Sequence, residues 1–190
     1  AARGTIGAQW TGTRYDGTYS FNGGASTGSV SITGWSAKAP MATPRFSLAA
    51  AAVNGIVYAM GGVGPGAWAP SVEAYNPGTG SWTTVGQMVT PREGAGAAAV
   101  NGRIYVVGGH LAGGIASGIL EAYEPATNTW ITALAPMPTP RAHLAVVTDG
   151  VFVYAIGGDT TQTNGGAVAT MERYDPATNN WATLAPMPSP

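Results

Sequence analysis

The sequence contains no cysteine among its 190 residues, so neither a disulfide nor a thiolate metal ligand can come from this chain. Charged residues make up only 9% of it, against roughly a quarter in a typical globular protein. The formal net charge is −1, and no cluster of Lys and Arg offers the basic surface that nucleic acid or an acidic membrane would require. We therefore expect no nucleic-acid partner.

Long hydrophobic runs are also missing. No apolar stretch approaches the roughly 20 residues of a membrane-spanning helix, so we expect no membrane insertion. No charged-then-apolar leader is present, which predicts that any signal peptide has already been removed. The low charge and the many Ala, Gly, Ser and Thr residues favour an extracellular or cell-surface protein of bacterial origin, while a cytoplasmic location stays open.

Glycine and proline are abundant instead, with 29 and 14 copies, and they recur at fixed places. Tyr58-Ala-Met-Gly61-Gly62 returns as Tyr105-Val-Val-Gly108-Gly109 and again as Tyr154-Ala-Ile-Gly157-Gly158. The Gly pairs are 47 and 49 residues apart, a period typical of propellers and solenoids. The chain is therefore an array of one structural unit, repeated three times.

Each copy contains two further turn signals. Asn54-Gly55, Asn101-Gly102 and Asp149-Gly150 separate strand-like runs and predict type I′ hairpins. A second turn leads from Pro77, Pro125 and Pro176 to a Trp five residues later. The Ala-rich runs before the first turn are too short for stable helices and are predicted to be innermost strands. We therefore expect four-stranded antiparallel units, as in propeller blades.

In order, each copy shows Pro-Arg, a small-residue strand, the first turn, Tyr-x-x-Gly-Gly, Glu-x-Tyr-x-Pro and Trp. This order resembles the kelch repeat. The resemblance implies an all-β, kelch-type β-propeller in which the Gly pair ends the second strand, and Tyr and Trp pack between blades. Full repeats are predicted at 35–82, 83–130 and 131–181, and 182–190 as the start of a truncated fourth.

Residues 1–34 do not show the full motif, although Tyr15–Gly24 echoes the hairpin and the Gly pair. We interpret them as a degenerate or incomplete blade, or as a separate β-ribbon. Propellers contain about four to eight blades, so we expect a partial or incompletely closed ring in this chain. The chain is then a piece of a longer polypeptide, half of a ring that a second copy completes, or an open arc.

A charged pair also recurs in each copy. Arg45, Arg92 and Arg141 keep register with Glu73, Glu121 and Glu172. We predict an Arg–Glu contact within or between the blades of every repeat.

Catalysis has little support in the sequence. Sugar oxidases among the kelch-like propellers use a copper cofactor with a Tyr–Cys cross-link, which this chain cannot form. His110 and His143 lie in different repeats without an acidic cluster, so we expect no metal and no other cofactor. Glu93 and Asp159 are the acids to which the repeat and its turns give no structural role. These two residues alone give little support for the convergent carboxylate pair of a glycosidase. We expect no enzyme; a carbohydrate-active enzyme, such as a sugar oxidase or an epimerase, is an alternative.

Kelch propellers usually hold their partners with loops at one end of the ring. Here these loops are the residues after Pro-Arg and those after Gly-Gly, which differ between copies while the frame is kept. The candidate partner-binding residues are Ser47, Trp68, Glu93, His110, His143, Asp159 and Gln162. We predict a non-catalytic binding or scaffold module for a protein or a carbohydrate. A structural protein that self-associates into an oligomer or a fibre is the alternative.

Overall fold

The computed structural model describes residues 36–161 and 166–190 and the backbone of three earlier strands, β1 (Thr5–Trp10), β2 (Arg14–Ser20) and β3 (Thr27–Thr33). The chain divides into two compact units, Ala1–Ala39 and Pro40–Pro190. In the first unit, the three strands form an antiparallel sheet in the order β1-β2-β3. Whether this sheet is a degenerate blade or a separate ribbon stays a prediction, because Gly23-Gly24 and Trp35 lie outside the described residues.

The second unit contains three blades, one for each full repeat. The first comprises β4 (Ala49–Val53), β5 (Ile56–Met60), β6 (Val63–Gly64), β7 (Ala67–Trp68), β8 (Ser71–Asn76) and β9 (Ser81–Gln87). Strands β6 and β7 form a small ribbon, and the others form an antiparallel sheet in the order β4-β5-β8-β9. The blade is thus the four-stranded unit that the repeat predicts.

The other two blades repeat this order. The second comprises β10 (Gly96–Val100), β11 (Arg103–Val107), β12 (His110–Leu111), β13 (Ile115–Ala116), β14 (Leu120–Glu124) and β15 (Thr129–Ile131). The third comprises β16 (Ala145–Thr148), β17 (Val153–Ile156), β18 (Met171–Asp175) and β19 (Asn180–Leu184). The predicted all-β, kelch-type architecture is confirmed. In the part of the chain that the structure describes, no helix has the length and apolar character needed to span a bilayer.

One of the predicted turns differs from the other two. Asn54 and Asn101 have φ values of 52° and 51°, as a type I′ turn requires of its first central residue. The third hairpin instead has four residues between Thr148 and Val153. Its Asp149 carboxylate accepts hydrogen bonds from the backbone N–H groups of Phe152 and Val151 and from the Tyr154 hydroxyl, which lower the pKa of Asp149 to about 2.

The small residues of the innermost strands allow these strands to approach one another. β10 contacts β4 on one side and β16 on the other. A Cβ added at Gly96 would overlap the Val146 side chain, so the crowding explains the glycine and alanine there. Within residues 40–190, β4 and β16 each contact only one such neighbour, and three of the four residues of β16 are exposed. The three blades do not close into a ring.

Alternate residues of β11 pack against different blades. Ile104 and Val106 face the first blade, where Tyr58 and Tyr123 meet with their ring centroids 5.9 Å apart. Tyr105 and Val107 face the third blade. Because successive side chains of a strand point to opposite faces, this strand is buried on both sides. The expected packing of aromatic residues between blades is confirmed.

Each blade contains a buried Arg–Glu ion pair, as the register of these residues predicts. The pairs are Arg45–Glu73, Arg92–Glu121, with 3.2 Å between Nη1 and Oε2, and Arg141–Glu172, with 2.8 Å between Nη2 and Oε2. All six side chains are at most 2% exposed. Burial lowers the pKa of Arg92 and of Arg141, and the partner carboxylate opposes this shift.

The guanidinium groups also bind the backbone at the end of the second strand. Arg141 donates to the carbonyl oxygens of Gly157 and Thr170 at 2.8 and 2.7 Å, and Arg45 donates to that of Gly61 at 3.1 Å. In the first and third blades, the Arg of Pro-Arg is thereby joined to the Gly pair of its own blade.

The buried pair predicts a large stability difference between two carboxylates of one strand. Glu121→Gln leaves Arg92 as a buried, uncompensated charge, which costs about 3–5 kcal/mol. Glu124→Gln removes the partner of Arg103 in a pair with side chains 43% and 30% exposed, worth less than about 1 kcal/mol. Urea denaturation of both variants measures the difference. Equal losses would contradict a stabilising role of the buried pair.

Candidate functional site

The antiparallel order of the strands separates two ends of each blade. The hairpin turns at Asn54-Gly55, Asn101-Gly102 and 149–152 lie at one end, together with the turns that precede each Trp. The residues after Pro-Arg and the loops after Gly-Gly lie at the opposite end, which we call the loop end. All the described candidate binding residues belong to the loop end.

The same backbone pairing builds the loop end in each blade. The residue after Pro-Arg pairs with the residue after Gly-Gly in the bridges Phe46–Val63, Glu93–His110 and Ala142–Asp159. The Gly pair allows this close approach, because a Cβ at Gly109 would lie 2.7 Å from the Glu93 carbonyl oxygen. The Gly pair therefore positions the loops.

Hydrogen bonds between blades join these segments into one row. The row comprises residues 46–47, 93–94 and 142–143 together with their bridge partners Val63, His110 and Asp159. The Gly94 N–H donates to the Ser47 carbonyl oxygen at 2.8 Å, and the His143 N–H donates to that of Gly94 at 2.7 Å. These three residues occupy equivalent positions and have φ values of 52°, 61° and 51°, in the left-handed region that is uncommon for residues other than glycine. The repeated conformation makes the row continuous across the three blades.

Five of the seven predicted residues lie together, one lies apart from them, and one is outside the described residues. Ser47, Glu93, His110, His143 and Asp159 lie along the row. Trp68 lies in the ribbon of the first blade and is partly buried, lining a pocket of 280 Å³ with Ser71 and Gln87. Gln162 lies outside the described residues.

Three of these side chains converge between the second and third blades. The distance from His143 Nδ1 to Asp159 Oδ2 is 2.8 Å, and that from His110 Nε2 to Asp159 Oδ1 is 3.4 Å. The two imidazole rings lie edge to face with centroids 5.2 Å apart. His110 is fully buried, whereas the side chains of Asp159 and His143 are 23% and 46% exposed.

The sequence places His110 and His143 in different repeats and shows no acidic cluster beside them. The register of the repeat contains the missing information. His110 and Asp159 each follow a Gly pair directly, and His143 lies two residues after an Arg of the motif. Since neighbouring blades bring such positions together, aligning the copies against each other, blade by blade, would have indicated the group.

The structure also draws attention to Phe46, which belongs to the predicted loop after the first Pro-Arg but is not among the candidate residues. Phe46, next to Ser47 in the row, is 63% exposed, and its backbone is held by two hydrogen bonds of 3.0 Å to Val63. Its equivalents in the other blades are Glu93 and Ala142, so packing of the frame does not require an aromatic side chain here.

The chain matches known proteins along the repeats. The family model of the Kelch motif matches residues 44–89, 91–138 and 140–188. Kelch-like protein terF of Aspergillus terreus is 38% identical over 65 residues, which are 34% of this chain and 14% of that protein. Kelch-like protein 13 of Mus musculus is 36% identical over 73 residues, 37% of this chain and 11% of that one.

Two further similarities extend this pattern. The Kelch repeat and BTB domain-containing protein 1 of Cowpox virus is 32% identical over 69 residues, which cover 36% of this chain and 12% of that protein. The solved structure of YjhT superposes with a TM-score of 0.68 at 20% identity, covering 94% of this chain and 60% of that one. The matched segments thus span 11 to 14% of the length of these curated relatives. The Kelch motif matches three successive segments that together make up well over half of the residues of this chain. The chain therefore belongs to the kelch-repeat family.

Proposed function

We propose that this chain is a non-catalytic binding module that recognises a protein partner through the loop end of its blades. The observation that carries the proposal is the row from Ser47 through Gly94 to His143, in which hydrogen bonds of 2.8 and 2.7 Å join variable segments of three blades. Segments that vary on a rigid frame are where binding residues concentrate. The row offers a partner a continuous, pre-ordered surface.

The chemistry of the row suits a protein surface. Phe46 supplies an exposed aromatic side chain on a fixed backbone, and aromatic residues are enriched among those that dominate binding energy. Glu93, Asp159 and His143 add polar groups beside it. Since the frame itself holds the backbone of the row, little conformational entropy is lost when a partner binds.

A non-catalytic role is part of this proposal. Among the described residues of the row, the acids are Glu93 and Asp159, and both carboxylate oxygens of Asp159 lie against histidine nitrogens. The pair of free, convergent carboxylates that a glycosidase uses has no support in this arrangement. An extracellular or cell-surface location of the module stays a prediction.

Carbohydrate is the alternative ligand, and Trp68 is the residue that favours it. The pocket beside Trp68 is also lined by the polar side chains of Thr43, Ser71 and Gln87. Its volume of 280 Å³ is at the lower limit of small-molecule sites, which measure about 300–1,000 Å³. A pocket of this size suits a single sugar ring.

Two exposed apolar residues at opposite ends of the blades provide a matched test. Phe46 is 63% exposed at the loop end, and Val151 is 59% exposed in the hairpin turn at the other end. Phe46→Ala is expected to weaken the protein partner's affinity at least about tenfold, or ~1.4 kcal/mol, whereas Val151→Ala leaves it unchanged. Affinity capture with quantitative mass spectrometry identifies the partner, and titration with that purified protein measures the affinities.

The alternatives give different results in the same assays. Loss of binding with Val151→Ala alone, or failure to capture any protein reproducibly, would contradict the proposal. A glycan array probed with the chain and with Trp68→Ala tests the carbohydrate alternative, since that variant would then lose the signal while Phe46→Ala kept it.

Self-association is a second candidate function, favoured by the uncovered inner strand of the third blade. Val147 in this strand is 49% exposed, and its neighbours Ala145 and Thr148 are exposed as well. If this strand is an interface between copies, the chain will be a dimer or larger by light scattering, and Val147→Lys will shift it towards the monomer. A monodisperse monomer would exclude this function for the chain.

A further inference from the structure

We propose that His110, His143 and Asp159 form a binding site for a divalent transition-metal ion such as Zn²⁺. The site lies at the loop end, where the second and third blades meet. The sequence predicts no metal, because the convergence of these residues depends on contacts between blades that no single repeat contains. The inference does not rest on the proposed protein partner, although His143 and Asp159 also lie on the surface proposed to bind it.

The state of His110 is the first argument. His110 is fully buried, and neither of its ring nitrogens has a hydrogen-bond partner among the described residues. Asp159 Oδ1, which faces Nε2, is also buried without a hydrogen bond. Buried polar atoms left unpaired carry the full penalty of desolvation. A cation between Nε2 and Oδ1 would satisfy both atoms at once.

The distance between these two atoms is the second argument. His110 Nε2 and Asp159 Oδ1 are 3.4 Å apart, too far for a good hydrogen bond. Zinc binds imidazole nitrogen and carboxylate oxygen at about 2.0–2.2 Å with tetrahedral geometry, which places two ligands roughly 3.3–3.6 Å apart. The observed separation is thus that of two ligands of one ion.

His143 supplies the third ligand. One ligand atom from each of the three residues lies within 4.8 Å of the others, so tetrahedral coordination needs the farthest pair to approach by at most about 1.5 Å. The His143 side chain is 46% exposed and has room to turn. A Cβ on Gly94 would lie 2.7 Å from His143 Cδ2 and 2.8 Å from Nε2, so the glycine makes space for the ring.

The equivalent position between the first and second blades has no such ligand set. In the repeat, Val63, Gly94 and His110 stand there in the places of His110, His143 and Asp159. The frame is the same at both junctions, so the kelch fold does not require the histidines and the aspartate. Their presence at one of the two junctions between the three described blades is what a specific site predicts.

The donor set indicates the class of ion. Two imidazole nitrogens and one carboxylate oxygen suit Zn²⁺ and its neighbours in the transition series better than Ca²⁺ or Mg²⁺, which prefer oxygen ligands. Three protein ligands leave one position of a tetrahedron open. Because the His143 side chain is 46% exposed, we expect a water molecule to complete the coordination.

Calorimetric titration with ZnCl₂ tests the proposal on the full 190-residue chain, prepared without a histidine tag and treated with a chelator. We expect one ion per chain with micromolar or tighter affinity. Substitution with Co²⁺ is expected to produce the visible absorption of a four-coordinate ion.

His143→Ala and Asp159→Asn are each expected to weaken zinc binding at least about tenfold, and Glu124→Gln, a carboxylate at the opposite end of the blade, serves as the control with unchanged affinity. His143 and Asp159 are partly exposed, so both variants should fold, which thermal unfolding without metal checks. Absence of zinc binding by the parent chain, or equal affinity in all the variants, would overturn the proposal. Neither result bears on the capture of a protein partner by the metal-free chain.

Discussion

The buried Arg–Glu pair is the interaction on which the rest of each blade depends. It joins the segment after Pro-Arg to the third strand of the sheet, and in the first and third blades the same guanidinium binds the carbonyl oxygen of the first glycine of the Gly pair. A buried charge without its partner is severely destabilising. In these two blades the pair thus joins the Pro-Arg segment to the point where the second strand ends and the variable loop starts.

The backbone of the loop end is held in place by this arrangement. Once the Gly pair and the Pro-Arg segment are held together, the next residue on each side is paired through its backbone. The side chains at these positions range from the fully buried His110 and Ala142 to the exposed Phe46. The inter-blade hydrogen bonds from Gly94 to Ser47 and from His143 to Gly94 then connect the blades at the surface where the sequence varies. The repeated Pro-Arg and Gly-Gly positions of the frame are thus followed within one or two residues by positions whose side chains differ between the blades.

Much of the frame could be predicted from the sequence, because each element depends on local or periodic signals. The Asn-Gly turns, the small residues of the inner strands and the register of Arg with Glu all recur, and the strands follow them. The four-residue turn at Asp149 was not predictable from the pair Asp-Gly, because the carboxylate organises the backbone beyond it. The grouping of His110, His143 and Asp159 depends on contacts between blades, which no single repeat contains. The loop that contains Phe46 was predicted, but the exposure of its side chain is a property of the folded surface.

The junctions between blades have a further consequence for how such a chain can change. His110 belongs to two junctions at once, as a member of the His–His–Asp group on one side and in the place of Asp159 on the other. The chemistry of a junction is therefore a property of two adjacent repeats and of their order. Duplicating, deleting or exchanging a whole repeat would leave every blade intact, yet it would create new combinations of side chains at the seams. In a protein of this kind, shuffling of entire repeats can alter a site without a single point mutation.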